Sequence, residues 1–197
     1  MKENLKNQLP LIIVLIANIV VYIPVIIFYQ GFILDDFLIY KLIALNPQQP
    51  ICTNPQEEFF LFLRPISYFS FWLDFHLFGQ NYYFIKSVNL LFHLIVIGLL
   101  YNILLKIITV FHLEKNNKTI FVLLLFFSFH PDVHQWIFWI ANRTELLGIV
   151  FYFLSIYLFV EYLSNEKGCF LIASSFCFIL SILSKQIGLH LPLLFFY

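Results

Sequence analysis

Residues 9–29 form an almost unbroken apolar run near the start of the chain. As an α-helix, about twenty such residues cross roughly 30 Å of hydrocarbon. A run of this kind admits few folds, because its backbone polar groups must all be satisfied within the segment once water is absent. Comparable runs recur, and the sequence predicts spans at about 9–29, 87–106, 119–130, 145–163 and 169–183, with a shortened run at 187–197. The chain is 61% hydrophobic and 11% charged, which leaves too little polar surface to cover a single water-soluble core of 197 residues. A mean hydropathy of +0.89 agrees. The expected fold is all-α, a multi-span helical membrane protein with a long first extracytoplasmic loop, residues 31–86, carrying an interfacial helix.

Several alternatives fall away at this stage. A cleaved signal peptide has an apolar core of about 7–15 residues and a small-residue cleavage site, neither of which follows Lys2 and Lys6. Formal net charge is zero, so nothing points to nucleic acid. Cys52, Cys169 and Cys177 are odd in number and lack metal-ligand spacing, which argues against a disulfide framework. Pro10 stands at the start of the first span, and Pro24 predicts a kink near its far end.

Orientation follows from the lysines of the short loops. With the amino terminus inside, Lys2, Lys6, Lys106, Lys115, Lys118 and Lys167 are cytoplasmic. The long loop, the His130–Arg143 region and Lys185 then share the outer side. Within the loop, Ser67, Ser70 and Asp74 are spaced to fall on one face of a helix that Pro65 would open. That helix is expected to lie in the interface; the competing reading is a further span with a buried Asp74, which would invert everything downstream.

Charged residues beside hydrocarbon are costly and usually face protein, water, a metal or a substrate. Leu34-Asp35-Asp36-Phe37 is therefore the first candidate, against the reading that both acids merely begin a solvated loop. Arg64 in Leu63-Arg64-Pro65 is either a headgroup anchor or a fork for a phosphate. His130 and His134 lie four apart, a spacing that two metal ligands on a helix could share, but no HExxH pattern surrounds them. Arg143 and Glu145 open a span, and Lys185 closes one. Asn142-Arg143-Thr144 and Asn117-Lys118-Thr119 fit the glycosylation acceptor pattern, which is short enough to arise by chance.

In order and spacing these clusters resemble the amino-terminal half of a polyprenyl-phosphate-sugar-dependent glycosyltransferase of the GT-C fold, in the protein O-mannosyltransferase-like group that includes tetratricopeptide-repeat members. The residues that carry the resemblance are Leu34-Asp35-Asp36-Phe37, Leu63-Arg64-Pro65-Ile66-Ser67, Asn89 with His93, and Phe129-His130-Pro131. It continues through Asn142-Arg143-Thr144-Glu145-Leu146-Leu147 and Leu183-Ser184-Lys185-Gln186-Ile187-Gly188, and covers the chain from about residue 10.

The resemblance implies that Asp35 and Asp36 supply the catalytic base or hold a divalent cation. Arg64, Arg143 and Lys185 would bind the donor phosphate, with His130, Glu145, Asn89 and His93 in support. Its implied partners are a polyprenyl-phosphate-linked sugar donor, a protein or glycan acceptor and the lipid bilayer. Gln186 stands where the family often has Glu, and Lys86 lies where a His is expected before the Asn. The family has about twice as many spans, so the chain is expected to be a fragment that is inactive alone. Phe-, Ile- and Asn-rich usage suits an AT-rich genome and hence a bacterial plasma membrane, with the active side extracytoplasmic. The rivals are a transporter or flippase for a lipid or small solute, and a catalytically inactive membrane assembly subunit.

Overall fold

A computed structural model describes residues 2–29, 31, 33, 35–51 and 63–186, with side chains from residue 8 onward. Phe32, Leu34, Cys52, Glu57, Glu58 and the run 187–197 lie outside the described residues, as do the side chains of Lys2 and Lys6. The described residues form α-helices and one 3-10 turn, without strands: an all-α membrane protein. The helices are α1 (Lys2–Phe28), α2 (Asp35–Leu45), α3 (Pro65–Phe78), α4 (Tyr82–Val110), α5 (Asn117–Ser128), α6 (Pro131–Phe138), α7 (Arg143–Asn165) and α8 (Gly168–Ser184), with the 3-10 turn Ile140–Asn142 leading into α7.

Three segments, Gln8–Phe28, Tyr82–Val110 and Ile140–Asn165, are long and apolar enough to cross a membrane. The pair α5 and α6, bent by 55° where they meet, passes the same test only when taken together, as a broken span or a re-entrant loop. The bend has a local cause: Pro131 cannot donate to the preceding turn, so α5 stops and α6 starts afresh with Pro131 in its first turn. Residues 119–130 thus form the first arm of a bent pair rather than a straight span. At 17 residues α8 is apolar but about 25 Å long, a little under the hydrocarbon thickness.

α1 continues as a helix through Pro10 and Pro24. Val14, Asn18, Tyr22 and Ile26 recur every fourth residue and are buried, so they form one stripe facing the bundle. Val14 packs with Ile97, Tyr101, Ile120 and Leu124; Tyr22 and Ile26 pack with Leu90 and Ile137. The opposite face, including Ile16, Val20 and Ile27, is exposed, as lipid-facing positions must be. Two polar residues of the stripe are satisfied internally. Asn18 accepts from His93 Nε2 at 3.0 Å, and the Tyr22 hydroxyl is hydrogen-bonded to His134 Nδ1 at 2.7 Å.

α7 and α8 share the most extensive helix contact. Between membrane helices association leans on small residues and interhelical hydrogen bonds. Here Ser155 Oγ donates to Ser174 O and Ser174 Oγ to Ser155 O, both at 2.9 Å, and Ser181 Oγ donates to Gly148 O at 2.8 Å.

α3 is about 21 Å long, too short to cross the hydrocarbon, and this disfavours the competing spanning helix. Its polar face turns inward: Ser67 and Asp74 are buried, whereas Phe69, Leu73 and Leu77 are exposed. Ser67 Oγ donates to Ser184 O at 2.9 Å, which ties α3 to the end of α8.

Candidate functional site

Antiparallel packing gathers the loop-proximal polar groups at one end of the bundle. A cavity of about 610 Å³ opens there, lined by α2, Arg64, the end of α6, the 3-10 turn, the start of α7 and Lys185. Asp35, Arg64, Glu145 and Lys185 stand together on its wall, brought from positions up to 150 residues apart. Lys106 and Glu161 pair at 2.7 Å at the other end, remote from the cavity.

The two adjacent acids have different roles. Asp35 is exposed and lines the cavity. Asp36 is fully buried: its Oδ2 accepts from Ile33 N at 2.9 Å and its Oδ1 from Ala141 N at 2.8 Å. One residue along a helix turns a side chain by about 100°, so neighbours cannot share a face. Asp36 thereby staples the first turn of α2 to the 3-10 turn, and both its oxygens are engaged. The pair does not fit a shared divalent cation, and Asp36 leaves the expected catalytic set. Burial pushes its carboxyl above the usual carboxylate range, while the bonds from Ile33 and Ala141 and the charge of Lys86 pull it down. No group of three or more His, Cys, Asp or Glu is arranged for a metal among the described residues.

Arg143 also departs from expectation. It is completely buried and its guanidinium is consumed by the protein. Nε donates to Asn89 Oδ1 at 2.6 Å, Nη2 to Ile85 O at 2.8 Å, and Nη1 to Ser70 Oγ at 3.2 Å and to Asp74, with which it forms an ion pair. Phe71 lies under it, 5.3 Å from ring centre to guanidinium carbon. A phosphate in the cavity cannot reach this group, so Arg143 is a structural clasp joining α3, α4 and α7. Burial raises the Asp74 carboxyl, and the charge and hydrogen bond of Arg143 draw it back.

The expected supporting residues divide in the same way. Asn89 completes the clasp, its Nδ2 donating to Trp136 O at 2.9 Å. His93 pairs with Asn18 inside the bundle, well away from the wall. His130 caps α6, accepting from Asp132 N at 3.3 Å, while His134 turns to Tyr22; the two do not converge. Glu145 alone lines the cavity. One of its oxygens is paired with Lys185, and the other accepts from Trp136 Nε1 at 3.2 Å.

Lys185 is held from behind by glycine. A Cβ added at Gly148 would lie 3.4 Å from Lys185 Cβ, so Gly148 lets the end of α8 approach α7 closely. At Arg64, burial lowers the guanidinium pKa and the charge of Glu145 raises it. Lys86 is also buried but serves α1: its ammonium donates to the carbonyls of Tyr29 at 3.1 Å and Gly31 at 3.2 Å and stands over the Tyr29 ring. A cation just beyond the end of α1 at Phe28 suits the negative end of the helix dipole.

The sequence did not single out Leu38, Ile39, Gln135 or Thr144 as wall residues, nor Trp139 beyond an interfacial aromatic. The signal for them was positional: each lies within a few residues of an expected polar cluster. No family model, curated protein or solved structure matches the chain.

Proposed function

We propose that the cavity transfers a sugar from a polyprenyl-phosphate donor to a hydroxyl acceptor, on the extracytoplasmic face of a bacterial plasma membrane. The observation that carries this reading is the joint placement of Asp35, Arg64 and Lys185 on one cavity wall at the end of an apolar bundle. About 610 Å³ is an ordinary size for a small-molecule site. In this reading Asp35 accepts the proton of the attacking hydroxyl, and Arg64 and Lys185 stabilise charge on the departing phosphate. The prenyl tail remains among the apolar helices. A divalent cation has no part in the proposal.

The transporter or flippase reading favours ionisable groups along the span midpoints, where coupling residues act. The charged side chains resolved here, such as Lys106 with Glu161 and Glu145 with Lys185, pair near helix ends instead.

The test uses the chain in proteoliposomes with a photoreactive polyprenyl-phosphate sugar, a singly charged phosphodiester. Crosslinks are expected at the cavity wall, and Arg64→Gln or Lys185→Gln should weaken capture at least tenfold. Asp35→Asn should retain capture; in membranes that carry the transfer activity it should lower the rate by about 10²–10⁴-fold, the usual contribution of a general base. Crosslinks that avoid the cavity would overturn the proposal.

A further inference from the structure

Glu145 sits where a ligand anion would bind. Its paired oxygen holds the Lys185 ammonium, its charge acts on Arg64, and Trp136 Nε1 fixes the other oxygen from behind. That carboxylate is therefore the ion-pair partner of Lys185, and its charge also acts on Arg64. The backbone of Lys185 is not free to withdraw: its N–H donates to Ser181 O at 2.9 Å, and its Cβ rests against Gly148. The side chains of Lys185 and Glu145 are 25% and 32% exposed, so a ligand in the cavity can reach the pair.

The described charges on the wall are two acids, Asp35 and Glu145, and two bases, Arg64 and Lys185. An anion that takes over Lys185 must displace Glu145, and the displaced carboxylate stays nearby. A first negative charge on the ligand replaces what Lys185 lost. A second adds to the repulsion from the two wall carboxylates, Asp35 and Glu145. Between unit charges a few ångströms apart at a partly desolvated site, such repulsion is large enough to change affinity at least tenfold.

We infer that Glu145 is a specificity-determining residue, a built-in competitor that admits singly charged phosphodiesters and turns away more highly charged phosphates. The inference rests on the proposed function, since it takes a phosphate to be the group that enters.

Binding of three probes with the same prenyl chain tests it: a methyl phosphodiester, a monophosphate and a diphosphate, titrated at pH 8 against the chain in lipid nanodiscs. At that pH the monophosphate carries about two charges, its second pKa being about 6. The wild-type chain should bind the diester at least tenfold more tightly than the diphosphate. Glu145→Gln should abolish that preference by tightening the diphosphate, and Glu145→Asp, which keeps the charge, should preserve it. Lys185→Met should weaken all three probes. If Glu145→Gln leaves the ratio unchanged, or weakens all probes alike while thermal unfolding is unaltered, Glu145 is only part of the scaffold and the inference fails. If the wild-type chain binds none of the probes, the phosphate reading of the cavity fails with it; binding without discrimination removes the inference alone.

Discussion

At the scale of single residues, burial separates groups that look alike in the sequence. Asp35 and Asp36 are neighbours, yet one faces a cavity and the other closes two backbone hydrogen bonds. Asp36→Asn should cost stability, about 1–3 kcal/mol, because an amide cannot accept both N–H groups with its two heteroatoms. Asp35→Asn should leave unfolding in detergent unchanged, whatever its effect on the proposed transfer. Asp36 also predicts a pH dependence. Its folded-state pKa is raised by burial, so its contribution is complete below the unfolded value of about 3.9 and is lost as pH rises through the folded value. A melting-temperature profile should decline over that window in the wild type and flatten in Asp36→Asn. The Arg143 clasp makes a larger claim. Arg143→Met strands Asp74 in the interior and should cost about 3–5 kcal/mol, whereas Arg143→Met with Asp74→Leu should recover most of it. An equal loss in single and double variants would mean the hydrogen bonds to Asn89 and Ile85, rather than the charge pair, hold the helices.

Elements were legible in proportion to the strength of their local signal. Pro65 announced α3, and the spacing of Ser67, Ser70 and Asp74 announced its polar face, because both depend only on helix geometry. Their partner was not legible: Arg143 is about seventy residues away, and nothing local says which cation fills an inward face. α2 escaped notice for a different reason. Its outward residues Phe37, Leu38 and Leu45 are as apolar as its buried Ile39, Leu42 and Ile43, so it carries almost no amphipathic contrast. Gly148 acts at this scale as well. Gly148→Leu should force α8 away from α7, move Lys185 off the wall and weaken prenyl-phosphate capture at least tenfold, while membrane insertion is retained. Capture at the wild-type level would show that the α7–α8 approach does not position Lys185.

For the whole molecule, the antiparallel order of the helices sets the two ends of the bundle apart. Cysteines placed at Gln48 and Asn116, both exposed, should react with an impermeant maleimide from opposite sides once the native cysteines are replaced. Reaction of both from one side would contradict the topology. Membrane residence, the all-α class, the positions of three spanning helices and the grouping of polar clusters at one end were legible in the sequence itself. Each depends on run length, hydropathy or chain direction, which are local or additive quantities. Tertiary structure alone decided which polar residues reach the cavity. Asp35, Arg64, Glu145 and Lys185 do; Asp36, Arg143, Asn89, His93 and His130 are turned into hydrogen bonds within the protein. The physical reason is that an ionisable group beside hydrocarbon must find a partner, and whether that partner is a distant side chain or a ligand depends on packing between helices, which no local pattern encodes.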